Sequence, residues 1–560
     1  MVIQHAVFVI ICGMNRASEK STANTDISGQ SAAELRATVI ALQAQLQQQN
    51  DTLQAQASAL QQRDIRIELL EEMLRLKRVQ QFAARSEKSR HQVALFDEAE
   101  TAVEIEALTE QLPEADARTQ NARPRRQRRQ RGFSATLPRE RIELPLAAED
   151  KVGASKVFFA KVKEELHYIP AQLKVLEYWQ EKAVFEHAYG EDQVVAAPRP
   201  VHPLGKCQAT PSLLAQVITG KYADGLPLYR QQQIFKRLGH ALDRSTMAHW
   251  LVRLEPVLRP LIERMRQSQI QGHYLQADET RIQVLKESGK TAQSDKWMWV
   301  VRGGLPDQPS VLFTYDPSRS GDVPVRLLAG FKGILQADGY AGYAKACRVH
   351  EITRIGCWDH ARRKFVEAQK AAPKNKTGRV SKADVALGHI NKLYAIERRI
   401  VNDTADERYR VRQAESVPHL AQLKTWLEHN LVKVMKGSLT RKAMEYTLSQ
   451  WDDLVGYCQR GDLQISNARA ENAIRPFAVG RRNWLFADTT RGAHTSAACY
   501  SLIETARANQ LDPAAYIDYV LNRIGATETA EQVEALLPWN VPLPRAEKEH
   551  SCSHRASGSI

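Results

Sequence analysis

At 560 residues the chain exceeds what one hydrophobic core serves, so about two to four domains are expected. A formal charge of +14 favours a polyanionic partner, nucleic acid before membrane. Seven scattered cysteines, an odd number, suggest neither a disulfide framework nor a four-cysteine zinc site, which fits a reducing cytoplasm.

The apolar start VIQHAVFVIICG (2–13) is too short to span a bilayer and lacks a preceding basic residue, so residues 1–30 read as a disordered start with Met14 as the expected initiator. No other stretch suggests a membrane span, and a soluble protein is expected. Over 31–90, Val39, Leu46, Leu53, Leu60, Ile67 and Leu74 recur every seven residues, with Leu35, Leu42 and Leu70 on the same side. Gln49, Gln56 and Arg63 spoil the second column, so the helix is either a coiled coil between copies, implying a homo-oligomer, or a helix packed on another domain.

Residues 91–145 form an expected disordered linker with an acidic patch at 97–110. Its basic arm holds seven arginines between Arg118 and Arg131, Arg125, Arg126, Arg128 and Arg129 among them. Such an arm neutralises phosphates without reading bases, or is only a solvated linker. Residues 151–205 alternate apolar and polar and end in APRPVHPLG, so the region 146–205 reads as a small β-rich module, without the cysteines of a zinc finger, followed by a linker. In 206–268, LYRQQQIFKRL stops at Gly239, and a second helix, RSTMAHWLVRL, can be capped by Asp243 or Ser245. This is either a helix-turn-helix with Arg244, Ser245, Thr246 and His249 toward a DNA groove, or an ordinary helical hairpin.

From 269 to 375 the tetrapeptide LQAD occurs twice, each time as a strand ending in an aspartate: Asp278 and Asp338, sixty residues apart. With KWMWVVRG, SVLFTYD, a short helix VRLLAG opened by Pro324, helix YAGYAKA, strand EITRIGCW and helix DHARRKFVEAQKA, the order β, β, β, α, β, α, β, α is that of a ribonuclease-H-like domain. Neighbouring strands would bring both carboxylates to one sheet edge, where they suit magnesium or manganese. Two such ions about 3.5–4 Å apart support in-line phosphoryl displacement. A helical insertion is expected at 376–462, then a second part of the core at 463–525 and a tail at 526–560. Ser466 can cap a helix with Glu471 in its middle and Arg475 one turn on. The residues alone leave Glu471 as readily a surface ion-pair partner of Arg475.

The stretches ARSEK, ELHYIPAQLKVLEY, KYADGLPLYRQ, LDRSTMAHW, LQADET, GILQADGYAGY, CWDHARRKF, ENAIRPFAVGRRNWLF and YSLIETARANQLDP occur in one order along most of the chain. Together they resemble the transposases of the insertion sequence 66 family, a branch of the Asp-Asp-Glu transposases. The resemblance implies Asp278, Asp338 and Glu471 as a catalytic, metal-binding triad. It also implies cleavage at the ends of a mobile element and joining of the exposed 3'-hydroxyls to target DNA, with accessory proteins of the element as possible partners. Relatives carry a cysteine-rich zinc module before the proline-rich linker, but residues 145–206 contain no cysteine, so no structural zinc is expected. The surroundings of Glu471 also depart from the family pattern of paired asparagines and a following arginine, since Ala468 in ISNARA and Asn472 after the glutamate stand there.

Cys357 and His360 have a C-x-x-H spacing, but two ligands do not make a zinc site. His360 and Arg363 are expected near the catalytic edge, in catalytic support or a structural role. Arg475, Arg481 and Arg482 suit the DNA backbone, because guanidinium forks match phosphate oxygens. The expected architecture is multidomain α+β: an N-terminal coiled coil, a helix-turn-helix region and a ribonuclease-H-like mixed α/β catalytic domain with a helical insertion. A copy that only binds DNA and a structure-selective nuclease are the alternatives, and a cytoplasmic, nucleoid-associated location is expected.

Overall fold

The computed structural model describes residues 32–82, 140–141, 159, 171–185, 193–372 and 380–545. The apolar start, the acidic patch, the arginine arm and the last fifteen residues, 546–560, lie outside the described residues. Among the described residues no helix is long and apolar enough to cross a membrane.

Helix α1 (Ala32–Phe82) carries the heptad column. Val39, Leu46, Leu53, Leu60, Ile67 and Leu74 are all 51–61% exposed, so the apolar seam faces solvent. Its last turns dock on the body. Arg75 Nε donates to the Ala371 carbonyl (3.1 Å), Glu72 accepts from the Leu439 amide (3.1 Å), and Leu69 lies over Gly437. Of the β-rich module, the described part is one antiparallel hairpin, β1 (Lys182–Phe185) with β2 (Gln193–Ala196), and 171–181 joins no ladder.

Helices α2 (Pro211–Tyr222), α3 (Leu228–Arg237) and α4 (Arg244–Gln269) follow. The turn after α3 uses Gly239 at φ +98°, a conformation that disfavours other residues. Helix α4 does not stop near Leu254 as the sequence suggests but runs through Pro256 and Pro260. Both prolines lie on its exposed side, where the carbonyls they leave unpaired can be hydrated. Asp243 is its N-cap residue, without a side-chain capping bond. The opposite face buries Met247, Trp250, Leu254, Leu258, Leu261 and Met265 against the main core, so these helices are not a separate module.

The central sheet has the order β6–β5–β3–β7–β8. Its strands are β3 (Tyr274–Ile282), β5 (Lys296–Leu305), β6 (Gln308–Asp316), β7 (Ile334–Gln336) and β8 (Thr353–Ile355), with β4 (Val284–Lys286) after β3. Strands β3, β5 and β6 are antiparallel, whereas β3, β7 and β8 are parallel. Strand β3 does not end at Asp278, because β5 keeps it paired from Asp278↔Val300 to Ile282↔Lys296. Between strands lie α5 (Asp322–Leu327), which starts two residues before Pro324, α6 (Ala341–His350) and α7 (Trp358–Ala371). At the entry to β3 the backbone runs so close to β5 that a Cβ on Gly272 would sit 2.4 Å from the Gly304 carbonyl oxygen. Gly272→Ala is therefore expected to cost about 1–3 kcal/mol, read as a lowered urea midpoint at unchanged slope.

An all-helical segment interrupts the sheet domain: α8 (Lys382–Arg399), α9 (Ala405–Val411), a π-helical turn (Arg412–Ser416), α10 (Val417–Leu431), α11 (Leu439–Ser449) and α12 (Trp451–Val455). It shares a second core with α7, built on Trp358, Phe365, Ile390, Leu423, Met444 and Tyr457. Next come α13 (Ala468–Trp484), β9 (Ala487–Thr489), α14 (Thr490–Ala508), α15 (Pro513–Leu521) and α16 (Ala530–Glu534). Strand β9 pairs in parallel with β4, tying the end of α13 to the strand that follows Asp278. The region beyond 525 is not a tail throughout: Leu536, Leu537 and Val541 are buried in the main core, and Tyr516 donates to the Leu536 carbonyl.

Candidate active site

The two LQAD segments lie in register on neighbouring parallel strands, Leu275 opposite Leu335 and Gln276 opposite Gln336. Alternation then gives each tetrapeptide two faces. Leu275, Ala277, Leu335 and Ala337 enter a core with Trp299, Phe331 and Tyr343. The glutamines and aspartates take the other face, and Gln276 Nε2 donates to Gln336 Oε1 (2.9 Å). Gln336 donates in turn to the carbonyls of Gly356 (3.0 Å) and Gln464 (2.8 Å).

Gln276 also receives α13. Its Oε1 accepts from the Ala470 amide (3.1 Å), and its Nε2 donates to the Ser466 carbonyl (3.2 Å). Asn467 adds a bond from Nδ2 to the Ala277 carbonyl (3.3 Å). These bonds fix the first turn of α13 beside the strand that carries Asp278. Asn467, not Ser466, is the N-cap residue, while the Ser466 hydroxyl accepts from the Ala468 amide (3.4 Å). Glu471 therefore sits in the first turn of α13 rather than its middle, where the helix dipole favours a carboxylate.

Asp278 and Asp338 are each held by one oxygen, Asp278 Oδ1 accepting from the Glu279 amide and Asp338 Oδ1 from the Tyr340 amide, both at 2.9 Å. Burial pushes Asp278 well above the usual aspartate range, and the charges of Glu471, Glu279 and Asp338 push it further. Such crowded anions favour a cation or a proton among them. The donor set is all carboxylate oxygen, which fits a hard divalent ion.

Glu471 is 4% exposed and is approached by two side chains of α7. His360 Nδ1 lies 3.6 Å from Oε1, and an Arg363 guanidinium nitrogen lies 3.5 Å from Oε2. Burial, helped by Arg363, pushes His360 down to about 4, so its imidazole is neutral near pH 7. Glu279 points away from the sheet face of Asp278 and binds Arg319 (2.5 Å) and the Tyr343 hydroxyl (2.5 Å). Arg319 lies over the Trp297 and Tyr340 rings at 4.6 and 4.3 Å. Sequence reasoning missed this cluster. Glu279 directly follows Asp278, and its alternate facing hides it from any search for residues that share the aspartate's side.

The structure thus brings Asp278, Asp338, Glu471, His360 and Arg363 to one edge. It leaves the proposed DNA contacts dispersed. Arg244, Ser245 and His249 are exposed at the start of α4, with Thr246 half-buried. Arg475, Arg481 and Arg482 are half-buried along α13, and Arg481 donates to the Arg281 carbonyl.

Comparison with known proteins matches residues 206–495 to the family described as "Transposase IS66 family" and 501–539 to "IS66 C-terminal element". Residues 69–142 match "Transposase C of IS166 homeodomain". The chain is 33% identical over 497 residues to uncharacterized protein y4qI of Sinorhizobium fredii, covering 85% of this chain and 89% of that one. It is also 33% identical over 394 residues to uncharacterized protein y4jD of the same organism, covering 67% and 74%.

Proposed function

The chain belongs to the IS66 family of transposases, and on that premise we propose that it binds the ends of an insertion sequence, cuts them and joins them to target DNA. The observation that carries this reading is that Asp278 and Asp338, each two residues past the in-register pair Gln276 and Gln336, lie near enough to Glu471 on α13 for its charge to act on Asp278. The strand order β6–β5–β3–β7–β8, antiparallel on one side of β3 and parallel on the other, supports a ribonuclease-H-like reading of the sheet.

Asp278, Asp338 and Glu471 are the residues to hold divalent metal, magnesium or manganese, which when bound stabilises the attacking and leaving oxygens of a phosphoryl displacement. The protein's own part is positional. Gln276 and Asn467 keep the first turn of α13 against β3, so the third carboxylate is placed by hydrogen bonds rather than by loop closure. Arg363 approaches Glu471 Oε2 (3.5 Å) and offers it a compensating positive charge.

DNA contacts are assigned to the homeodomain-like segment at 69–142, with its arginine arm, and to the exposed start of α4. The solvent-facing seam of α1 supports pairing of two copies across Leu46, Leu53 and Leu60. Arg244→Ala is expected to weaken end binding and lower the salt dependence by about one phosphate contact, read by titrating labelled end DNA at several salt concentrations. An unchanged slope would remove α4 from the interface.

The deciding experiment incubates the protein with labelled DNA carrying both flanks of its gene, with and without magnesium or manganese, beside Glu471→Ala. Metal-dependent nicks at defined ends, absent in the variant, are expected. Nicks that survive in Glu471→Ala, or cutting of branched DNA without element ends, would overturn the reading.

A further inference from the structure

We propose that Cys357, His360 and Glu471 form a second cation site, for a borderline-soft divalent ion of the zinc class, which shares its carboxylate with the aspartate pair. The sequence offers two of these ligands, and the fold adds the third. Cys357 precedes α7, His360 lies in its first turn, and Glu471 comes from the first turn of α13, some hundred residues later in the chain. One ligand atom from each lies within 4.8 Å of the others.

The distances suit coordination better than hydrogen bonding. His360 Nδ1 is buried and has no hydrogen-bond partner among the described residues, and its 3.6 Å from Glu471 Oε1 is too long for such a bond. Zinc binds nitrogen and oxygen at about 2.0–2.2 Å, so two ligands of a tetrahedral ion stand about 3.3–3.5 Å apart. The nitrogen–oxygen edge is therefore nearly the length such an ion requires, and the Cys357 thiol lies within 4.8 Å of both ligand atoms. Arg363 approaches the other oxygen, Oε2, and leaves Oε1 on the histidine side.

Donor chemistry separates this site from its neighbour. A thiolate and an imidazole select zinc over magnesium, whereas the aspartates offer only hard oxygen. Three protein ligands leave a fourth position open for water or a phosphate oxygen. Binding releases the thiol proton to solvent. If the strand-cleavage reading holds, zinc here draws on the carboxylate the aspartates need and inhibits the magnesium-dependent reaction. The binding claim itself does not rest on that reading.

The test uses the metal-free full-length protein, no DNA, and Co2+ as a spectroscopic probe. One equivalent is expected to give a thiolate-to-cobalt charge-transfer band that zinc abolishes and excess magnesium leaves in place. Cys357→Ser should lose the band, and Asp278→Asn should keep it. His360→Ala is a second variant for the case that Cys357→Ser does not fold, and should bind cobalt at least ~10-fold more weakly, as expected for loss of one ligand of three. Absence of a thiolate band in the wild type, or a band of full strength in Cys357→Ser or His360→Ala, overturns the proposal.

Discussion

Asp278→Asn is expected to abolish strand cleavage and, at the same time, to make the metal-free protein more stable. Loss of a metal ligand removes several kcal/mol of charge stabilisation, and about 4 kcal/mol corresponds to a rate loss on the order of 10³. The gain in stability follows from the raised ionisation of Asp278, which burial causes first and the surrounding carboxylates reinforce. The unfolded chain ionises this carboxyl near its ordinary value of 3.8, but the folded chain resists ionising it. Stability is thus full below that value and falls as pH rises from there through the higher folded-state value. Asparagine carries no charge at any pH, so the variant should melt higher than wild type near pH 7 and converge with it under acid conditions. Magnesium should raise the melting temperature of the wild type more than that of the variant. Melting curves across pH, with and without metal, check all three. A variant less stable than wild type at pH 7 would show that the carboxylates do not oppose one another.

Arg412→Ala is expected to cost about 3–5 kcal/mol, the range for breaking a buried ion pair by removing one partner. Its side chain is fully buried. It donates from Nε and one terminal nitrogen to the two oxygens of Glu397, at 2.8 and 2.6 Å. It also donates to the carbonyls of Tyr457 (3.0 Å), Arg460 (2.6 Å) and Leu463 (2.9 Å). One guanidinium therefore ties α8, the π-helical turn and the segment 457–463 that leads to α13. Its loss strands Glu397 and the carbonyls of Tyr457 and Arg460, while Arg408 stays 3.7 Å from the carboxylate and still donates to the Leu463 carbonyl (3.2 Å). Denaturant unfolding should show the loss, and the double change Arg412→Met with Glu397→Leu should recover much of it. Equal midpoints for wild type and Arg412→Ala would show that the pair contributes nothing.

The aspartate pair was legible because a repeated strand motif carries its register with it: Leu and Ala must share one core face, so Gln and Asp must share the other. Glu471 was not legible from its surroundings. The helical segment from Lys382 to Gln459 separates it from both aspartates in the chain, and Arg475 one turn on suggests a surface pair. Hydrogen bonds from Gln276 and Asn467, which no periodicity announces, bring it in. The length of α4 was not legible, because nothing in the sequence announces that the helix continues through Pro256 and Pro260. The length of β3 and the burial of Leu536 and Leu537 are set by partners far along the chain, β5 in one case and α15 in the other.

That separation along the chain has a consequence during synthesis. Roughly 130 residues lie between Asp338 and Glu471, so at about 5–20 residues per second the two aspartates leave the ribosome on the order of ten seconds before the glutamate. In that interval the helices around Arg412 can fold on their own core, since their contacts are local and quick to form. Strand β9 emerges later still, and its pairing with β4 adds to the hydrogen bonds that hold the first turn of α13 on β3. If the proposed triad carries the cutting, a nascent or truncated chain therefore folds its first strands while the set of carboxylates is still incomplete.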